Sequence, residues 1–191
     1  MPKDVPLEML GPMGCGFQTG AGAVMNSLHP IVGSSIAIFG VGSVGLAAIM
    51  GAILCGCSKI IAVDIVPGRL TLAEAFGTTH TVNAKESDPV KRIREITGFG
   101  ADYTLECASN PLTFRQAVYS SAPQWGECGL IGVAATGTEA SLDMGAILSG
   151  RKIRGILEGD SVPDIFIPQL IEFYRAGRFP FDRLLRFYPM E

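Results

Sequence analysis

The sequence is poor in charge, in histidine and in tryptophan. Only 17% of its 191 residues are charged, with 15 lysines and arginines against 18 aspartates and glutamates, and it contains two histidines and one tryptophan. A formal net charge of -3 provides no basic surface, and no lysine or arginine cluster follows one face of a helix. We therefore expect that the protein has no nucleic-acid partner.

The sequence also lacks a long uninterrupted apolar run. Its longest apolar stretch, residues 41–57, contains four glycines and is followed by Lys59, which is typical of an interior helix and not of a membrane span. No basic leader followed by an apolar segment and a small-residue cleavage site is present. We therefore expect a soluble cytoplasmic protein without a membrane partner.

Cysteine spacing argues against a disulfide framework. The five cysteines are odd in number, and no two of them have the C-x-x-C spacing. In a reducing compartment such thiols usually pack as small apolar side chains, and we expect this of Cys55, Cys57, Cys107 and Cys128. Cys15 differs, because it lies between two glycines at the start of a predicted helix.

Strand and helix patterns alternate along the chain, which at 191 residues fits one domain. We predict strands at residues 35–39, 60–64, 80–83, 103–107, 126–133 and 153–158. We predict helices at residues 15–26, 43–55, 68–76, 89–97, 111–121, 144–149 and 163–176. This alternation predicts an α/β fold, with a doubly wound, mostly parallel six-stranded sheet and helices on both faces, which is the Rossmann dinucleotide-binding fold.

The first predicted strand leads into a Gly-x-Gly-x-x-Gly turn formed by Gly40, Gly42 and Gly45. In a dinucleotide-binding turn the first glycine permits the tight bend, the second admits a pyrophosphate, and the third lets the next helix approach the sheet. The first amides of that helix, at Ser43 and Val44, would then face the phosphates.

The second predicted strand ends in an acidic residue, Asp64, about 19 residues after the last glycine of the turn. A carboxylate at this interval typically accepts hydrogen bonds from the adenosine ribose hydroxyls. The same carboxylate would repel the 2′-phosphate of NADP, so we predict a preference for NAD. Arg69, five residues further on, is predicted to contact the adenosine end of the cofactor, with pairing to a 2′-phosphate as the less favoured alternative, or to remain a solvated side chain.

Ligands of doubly wound sheets bind beyond the carboxyl ends of the strands. The residues that directly follow each predicted strand are therefore candidate cofactor contacts. In addition to the glycine turn and Asp64, they are Ile65, Cys107, Ala108, Ile131, Gly132, Val133, Leu157 and Glu158.

Together with this turn and Asp64, the segment Gly14-Cys15-Gly16-Phe17-x-Thr19-Gly20 resembles the cofactor-binding half of a zinc-dependent medium-chain alcohol dehydrogenase. The resemblance extends over practically the whole chain and is greatest to the aryl-alcohol (benzyl-alcohol) dehydrogenase branch. The segments that carry it are Glu106-Cys107-Ala108, residues 129–133, residues 148–155, residues 158–161 and residues 179–184.

The resemblance implies a role for individual residues. Cys15 matches a ligand of the catalytic zinc, and Thr19 matches a residue near the nicotinamide ring. Ser43 and Val44 match the pyrophosphate donors, whereas Asp64 and Arg69 match the adenosine-ribose pair. The remaining matches are Ile131, Gly132, Val133 and Glu158 at the nicotinamide carboxamide, and residues 140–158 at the surface through which family members dimerise.

The chain also departs from the family pattern. Asn110 replaces an arginine and Cys107 replaces a valine that relatives carry, and the preceding domain that holds the other two zinc ligands is absent from these 191 residues. His29 and His80 are expected to be structural. We interpret residues 1–33 as a linker and helix from a missing catalytic domain, 34–178 as the NAD-binding domain, and 179–191 as a tail returning to the missing domain.

The resemblance implies that the intact enzyme uses zinc and NAD to convert a small alcohol to an aldehyde, and that it is a homodimer or a higher oligomer. We expect the present chain to bind NAD and to be inactive alone. Two alternatives remain, a non-catalytic NAD-sensing module and a zinc-free NADPH-dependent quinone reductase relative. Cys15 favours the dehydrogenase, since neither alternative needs a glycine-flanked thiol there, and Asp64 argues against NADPH.

Overall fold

The protein, represented by a computed structural model that describes residues 5–188, contains one six-stranded sheet. The strands are Ser35–Phe39 (β1), Lys59–Asp64 (β2), His80–Asn83 (β3), Tyr103–Glu106 (β4), Glu127–Leu130 (β5) and Lys152–Gly155 (β6). They are paired in the order β3-β2-β1-β4-β5-β6, and all five pairings are parallel. This order is that of the predicted doubly wound dinucleotide-binding fold, which is thereby confirmed.

Helices cover both faces of this sheet. They are Gly16–Gly22 (α1), Ser43–Leu54 (α2), Pro67–Ala75 (α3), Pro89–Thr97 (α4), Pro111–Ser120 (α5), Met144–Leu148 (α6) and Pro163–Arg175 (α7). Short 3₁₀ turns form at Leu7–Met9, Gly11–Gly14, Glu158–Asp160 and Phe181–Leu184, and a π-helical turn, Ala23–Leu28, continues α1.

The apolar core has two parts, one on each face of the sheet. In β1, Ile36 and Ile38 pack among side chains of α1, α2 and α7, whereas Ala37 and Phe39 pack against α4 and α5. All five residues of β1 are buried, as expected for a central strand of a parallel sheet.

The helix ends follow the local signals of the sequence. The side chains of Asp88 and Asn110 accept hydrogen bonds from the first amides of α4 and α5, and a proline occupies the first helical position of each. Gly77 and Gly177, which follow α3 and α7, have positive φ angles of 99° and 69°. The capping side chains and the terminal glycines therefore fix where these helices begin and end.

The last two strands are shorter than predicted. The predicted strand 126–133 ends at Leu130, because the amides of Ile131 and Gly132 both turn to the carbonyl of Glu106. The predicted strand 153–158 is instead Lys152–Gly155, and Glu158 lies in a turn with a φ angle of 48°. After both β5 and β6, apolar residues therefore continue past the last residue of the strand.

The glycine-rich start of α1 is explained by its contact with α2. A Cβ atom on Gly20 would lie 2.0 Å from the carbonyl oxygen of Val44, so only glycine permits this approach. The predicted helix 15–26 is in fact α1 followed by the π-helical turn, which ends at His29 in a left-handed conformation with a φ angle of 45°.

The prediction that four cysteines are buried is correct only for Cys128. Cys55, Cys57 and Cys107 are half-buried. Cys15, which is not among the cysteines expected to be buried, is exposed. Burial raises the pKa of both Cys57 and Cys128 to about 12, so these thiols are uncharged at neutral pH.

Residues 1–4 of the predicted leading segment and residues 189–191 of the predicted tail lie outside the described part of the chain. The division at residues 33 and 178 stays a prediction. Between residues 5 and 188, no helix is both long enough and apolar enough to cross a membrane.

Candidate cofactor-binding site

A cleft of about 380 Å³ opens beyond the carboxyl ends of the central strands. It lies beside β1 and β4, between which the strand order reverses, as the rule for doubly wound sheets predicts. Seven of the predicted cofactor contacts line it, although they come from three different strand ends. They are Gly40, Gly42, Asp64, Ile65, Arg69, Cys107 and Ala108.

The three glycines of the turn are required for different reasons. Gly40 has a φ angle of 88°, and a Cβ atom there would lie 2.9 Å from the Cβ of Ala108. A Cβ atom on Gly45 would lie 2.1 Å from the carbonyl oxygen of Gly40. In contrast, a Cβ atom on Gly42 would meet nothing within 4 Å. The fold itself thus explains Gly40 and Gly45, whereas Gly42 leaves open space beside the cleft.

Helix α2 begins directly after this open position. No side chain caps its N-terminus, where Ser43 and Val44 are the first two helical residues. The first amides of an α-helix have no partner within the helix, and together with the helix dipole they favour an anion. The space at Gly42 and the uncapped amides therefore fit a cofactor pyrophosphate.

Asp64 is turned into the protein, and its side chain is only 3% exposed. Its Oδ1 accepts hydrogen bonds from the amides of Ile65 and Val66 at 2.7 and 2.9 Å, and its Oδ2 accepts one from the amide of Val41 at 2.9 Å. A carboxylate has about four acceptor directions, so roughly one remains on Oδ2. Arg69 Nη1 lies 3.7 Å from this atom. Asp64 therefore ties the glycine turn to β2 and retains one acceptor for a ligand hydroxyl.

Glu106 is a second strand-end carboxylate, and it is completely buried. Its Oε1 accepts hydrogen bonds from Thr113 Oγ1 at 2.7 Å, from the amide of Ala108 at 2.9 Å and from the amide of Asn110 at 3.4 Å. Its backbone carbonyl accepts the amides of Ile131 and Gly132. Glu106 therefore holds the residues that follow β4 against those that follow β5.

Gly132 lies against this carboxylate. A Cβ atom there would be 2.4 Å from Glu106 Oε2 and 2.6 Å from the amide nitrogen of Ser109. That Oε2 atom is buried and has no hydrogen-bond partner. The next residue, Val133, is 85% exposed. The chain therefore leaves the core within one residue of Gly132.

The predicted contacts Thr19 and Glu158 do not line this cleft, but the structure brings them together at helix α1. Thr19 Oγ1 donates a hydrogen bond to Glu158 Oε2 at 3.1 Å, which brings together two predicted contacts that are 139 residues apart in the sequence. Cys15 lies directly before α1, and a Cβ atom on the adjacent Gly16 would lie 3.6 Å from Val44 Cγ2. The exposed Cys15 thiol therefore lies beside the start of α2.

A sequence profile of the family described as "Zinc-binding dehydrogenase" matches residues 43–175, which is more than half of the chain. The chain belongs to the zinc-binding dehydrogenase family. The resemblance inferred from the sequence is thereby confirmed.

Individual relatives agree with this membership. A geraniol dehydrogenase of Castellaniella defragrans is 41% identical over 187 residues, covering 97% of this chain and 50% of the relative. The crystal structure of benzyl alcohol dehydrogenase from Acinetobacter calcoaceticus has 46% identity and a TM-score of 0.96, covering 98% of this chain and 52% of that one. An alcohol dehydrogenase zinc-binding domain protein from Burkholderia ambifaria has 54% identity and a TM-score of 0.95, with 99% and 51% coverage.

The chain therefore spans about half the length of the zinc-binding dehydrogenases that it matches. NAD and zinc, the cofactors expected from the sequence, are the cofactors of this family, and that expectation is confirmed at the level of the family. The contacts that each residue of this chain makes with them stay predictions.

Cys15 is the one predicted zinc ligand in this zinc-binding dehydrogenase chain. Within the described residues, no three His, Cys, Asp or Glu side chains are grouped as a metal site requires. His29 and His80 are both exposed, and neither belongs to such a group. Cys15 can supply one thiolate ligand to a zinc site. The described residues do not supply the other ligands that such a site needs.

Sequence reasoning missed several residues of the cleft. Asn110, Thr113 and Gln116 line it beside the predicted contacts, and a wider groove of about 810 Å³ adjoins it at Ala84 and Gln116. The sequence offered one signal for Glu106, because it is an acidic residue at the end of an apolar strand, as Asp64 is.

Cys107 lines the cleft. Burial raises the pKa of the Cys107 thiol well above its ordinary value, and the nearby Glu106 and Cys128 raise it further. The thiol is therefore uncharged at neutral pH and contributes a small, largely apolar surface.

Proposed function

We propose that this chain is the NAD-binding part of a zinc-dependent alcohol dehydrogenase that oxidises a primary alcohol, with a preference for an aryl alcohol, to an aldehyde. The observation that carries the proposal is the open space at Gly42 beside the uncapped start of α2. The likeness to a benzyl alcohol dehydrogenase structure, at 46% identity, supports the aryl preference.

In this proposal each side of the NAD site binds one part of the cofactor. The amides of Ser43 and Val44 bind the pyrophosphate, and the free acceptor direction of Asp64 binds an adenosine ribose hydroxyl. Arg69, Ile65, Cys107 and Ala108 surround the adenosine. Ile131, Gly132, Val133 and Glu158 lie at the carboxamide, with Thr19 beside the nicotinamide ring.

When bound, NAD supplies a hydride acceptor and zinc supplies a Lewis acid that lowers the pKa of the alcohol. Cys15 provides one thiolate ligand for zinc, and α1 fixes the position of that thiol relative to the pyrophosphate site. Because a catalytic zinc needs three protein ligands, we expect no alcohol oxidation by these 191 residues alone. Alcohol-dependent NADH formation by the purified chain would contradict this expectation.

We also propose that two copies of the chain associate through residues 140–158. This region contains β6, which is an edge strand of the sheet and is exposed along its whole length. Met144, Leu148 and Leu157 are large apolar side chains that are each at least 79% exposed here. The free edge of a strand beside exposed apolar side chains is typical of a surface that another chain covers.

The central test is a titration of the chain with NADH and with NADPH, in which fluorescence reports binding. We expect NADH to bind more tightly than NADPH, and we expect Gly42→Val to weaken NADH binding at least about 100-fold, because its side chain fills the pyrophosphate space. Gly11→Val is the matched control, since Gly11 also has open space around it but lies outside the cleft. Equal NADH binding by the wild type and Gly42→Val would contradict the proposal.

A further inference from the structure

The segment Glu158–Asp160, which follows β6, has an unusual backbone. Its three residues have φ angles of 48°, 68° and 46°, so all three lie in the left-handed region. Glycine adopts this conformation readily, but Glu158 and Asp160 are L-residues that pay a steric penalty there. Such a run persists only where the surrounding structure holds it.

Helix α1 supports the middle of this segment by direct backbone contact. A Cβ atom on Gly159 would lie 2.6 Å from the carbonyl oxygen of Gln18, and one on Gly22 would lie 2.6 Å from the carbonyl oxygen of Gly159. Asn26 Nδ2 also donates to the Gly159 carbonyl at 3.3 Å. The two glycines therefore place the segment directly on the helix surface.

A polar network holds the end of the segment. Asp160 Oδ2 accepts hydrogen bonds from Ser27 Oγ at 2.8 Å and from Arg154 Nη2 at 3.2 Å. Arg154 Nη1 also donates to the Ser27 carbonyl at 3.0 Å. Ser27 is buried, whereas the Arg154 side chain is 43% exposed, so solvent screens the ion pair more than the hydrogen bond from the serine. The Ser27–Asp160 bond is therefore the less screened of the two contacts that Asp160 Oδ2 makes.

This contact reaches the proposed nicotinamide end of the NAD site. The amide of Asp160 donates to the carbonyl of Leu157 at 2.9 Å, so a change at Asp160 moves the backbone at Leu157 and Glu158. Leu157 is 79% exposed, and no core packing holds it in place. We propose that Asp160, held by Ser27, is a positioning residue that presets the Leu157–Glu158 backbone for the nicotinamide half of NAD.

Because this role presupposes the proposed function, its test must separate the two halves of the cofactor. ADP-ribose contains the adenosine, the pyrophosphate and the second ribose, but no nicotinamide. Loss of the Ser27–Asp160 bond should therefore weaken the binding of NADH and leave the binding of ADP-ribose nearly unchanged.

The experiment measures the dissociation constants of NADH and ADP-ribose for the wild type, Asp160→Asn and Ser27→Ala. We expect each variant to bind NADH about tenfold more weakly and ADP-ribose within about twofold of the wild type, since Ser27→Ala deletes the hydrogen bond and Asp160→Asn removes the charge that strengthens it. Asp164→Asn is the matched control, because it removes the same charge from an exposed position at the start of α7.

Each outcome gives a decision. An equal loss of NADH and ADP-ribose binding, or no loss of either, would overturn the positioning role. Ser27→Ala keeps the test decisive if Asp160→Asn does not fold, and circular dichroism identifies that case. A wild-type chain that binds neither ligand would instead defeat the proposed function, together with the role that presupposes it.

Discussion

The proposed NAD site, of which the cleft is one part, has two sides that are built by different means. The glycine-turn side comprises Gly40–Gly45, Asp64, Glu106 and Gly132, and it is held by buried carboxylates and, at Gly40, Gly45 and Gly132, by contacts too close for a Cβ atom. The α1 side comprises Thr19, Ser27, Val133 and residues 157–160, and much of it is exposed. Its geometry depends on a few polar contacts between residues that are far apart in the sequence.

This difference separates stability from ligand geometry. Changes on the glycine-turn side should affect folding wherever they enter filled space, because the sheet and its first loops share those contacts. Changes on the α1 side should affect ligand binding more than folding, since few buried groups are lost. Single substitutions on each side can test that distinction.

The largest effect is expected from Gly132→Ala. The added methyl group would lie 2.4 Å from Glu106 Oε2 and close to the Ser109 backbone, so buried atoms must move. We expect the free energy of unfolding to fall by about 3 kcal/mol, as for other overpacked core positions. Chemical denaturation measures this loss.

Gly42→Ala is the matched comparison for that experiment. It adds the same methyl group on the same side of the NAD site, but into open space. Its stability should remain within about 0.5 kcal/mol of the wild type, while its NADH affinity falls. Equal destabilisation by the two substitutions would contradict the division between filled and open positions.

The next effect concerns the choice between NAD and NADP. Asp64→Asn removes the negative charge. Its single amide oxygen can still accept the hydrogen bonds from Ile65 and Val66, whereas its NH₂ group replaces the oxygen that accepts the Val41 amide. The preference for NADH over NADPH should fall by at least about tenfold, because the repulsion of the 2′-phosphate is lost. Parallel titrations with both cofactors measure this ratio.

Asparagine is a better test than glycine at position 64. Asp64→Gly would delete all three hydrogen bonds that the carboxylate accepts, of which the one from Val41 ties the turn to β2, so a change in binding would mix charge with folding more strongly. Asp164→Asn provides a charge control outside the cleft. An unchanged cofactor ratio in Asp64→Asn would refute the charge-based account of the NAD preference.

The α1 side also adjoins the proposed contact between two copies. Leu148 is 88% exposed at the end of α6, directly before the edge strand β6. Leu148→Glu should weaken self-association at least about tenfold, because it places a charge in an apolar contact. Sedimentation velocity measures the dissociation constant of the dimer.

Leu72→Glu is the control for that measurement. Leu72 is also an exposed leucine, but it lies on α3, which packs against β2 and β3 at the opposite edge of the sheet from β6. If the wild type sediments as a monomer, or if both substitutions have the same effect, residues 140–158 are not the contact between copies.

The sequence predicted the features of the cleft that depend on local signals. The glycine spacing, the strand-end Asp64 and the proline-marked helix starts are each readable within a few residues. The alternation of strands and helices then predicts the topology, because parallel strands require crossovers of one hand. The sheet order and the location of the cleft followed from these signals.

The remaining features depend on contacts that no local pattern records. Ser27 and Asp160 meet across 133 residues of sequence, and a glutamate at position 158 gives no sign of a positive φ angle. Glu106 has the same sequence context as Asp64, but only the structure reveals that its carboxylate is buried among the loops after β4 and β5. Strand ends were overestimated for the same reason, since apolar composition persists after the ladder ends.

The smallest effect is expected at the opposite end of β4, where Asp102 stabilises the fold without touching the cleft. Burial raises the pKa of this carboxyl, but hydrogen bonds from the backbone and hydroxyl of Ser35 and from Trp125 Nε1 outweigh it and leave the pKa below its ordinary value. The stabilisation is therefore fully present above the pKa of the unfolded state, about 4, and is lost as the pH falls through the lower pKa of the folded state.

Asp102→Asn should accordingly lower the melting temperature by a few degrees at about pH 7, and the difference from the wild type should shrink towards about pH 3. Thermal unfolding at several pH values measures this convergence, and a titration with NADH at neutral pH completes the comparison. Because Asp102 lies at the amino end of its strand and Glu106 at the carboxyl end, Asp102→Asn should leave NADH affinity unchanged. A weaker NADH affinity in this variant would mean that stability and ligand geometry are coupled through the whole sheet, and the two sides of the NAD site would then not be separable.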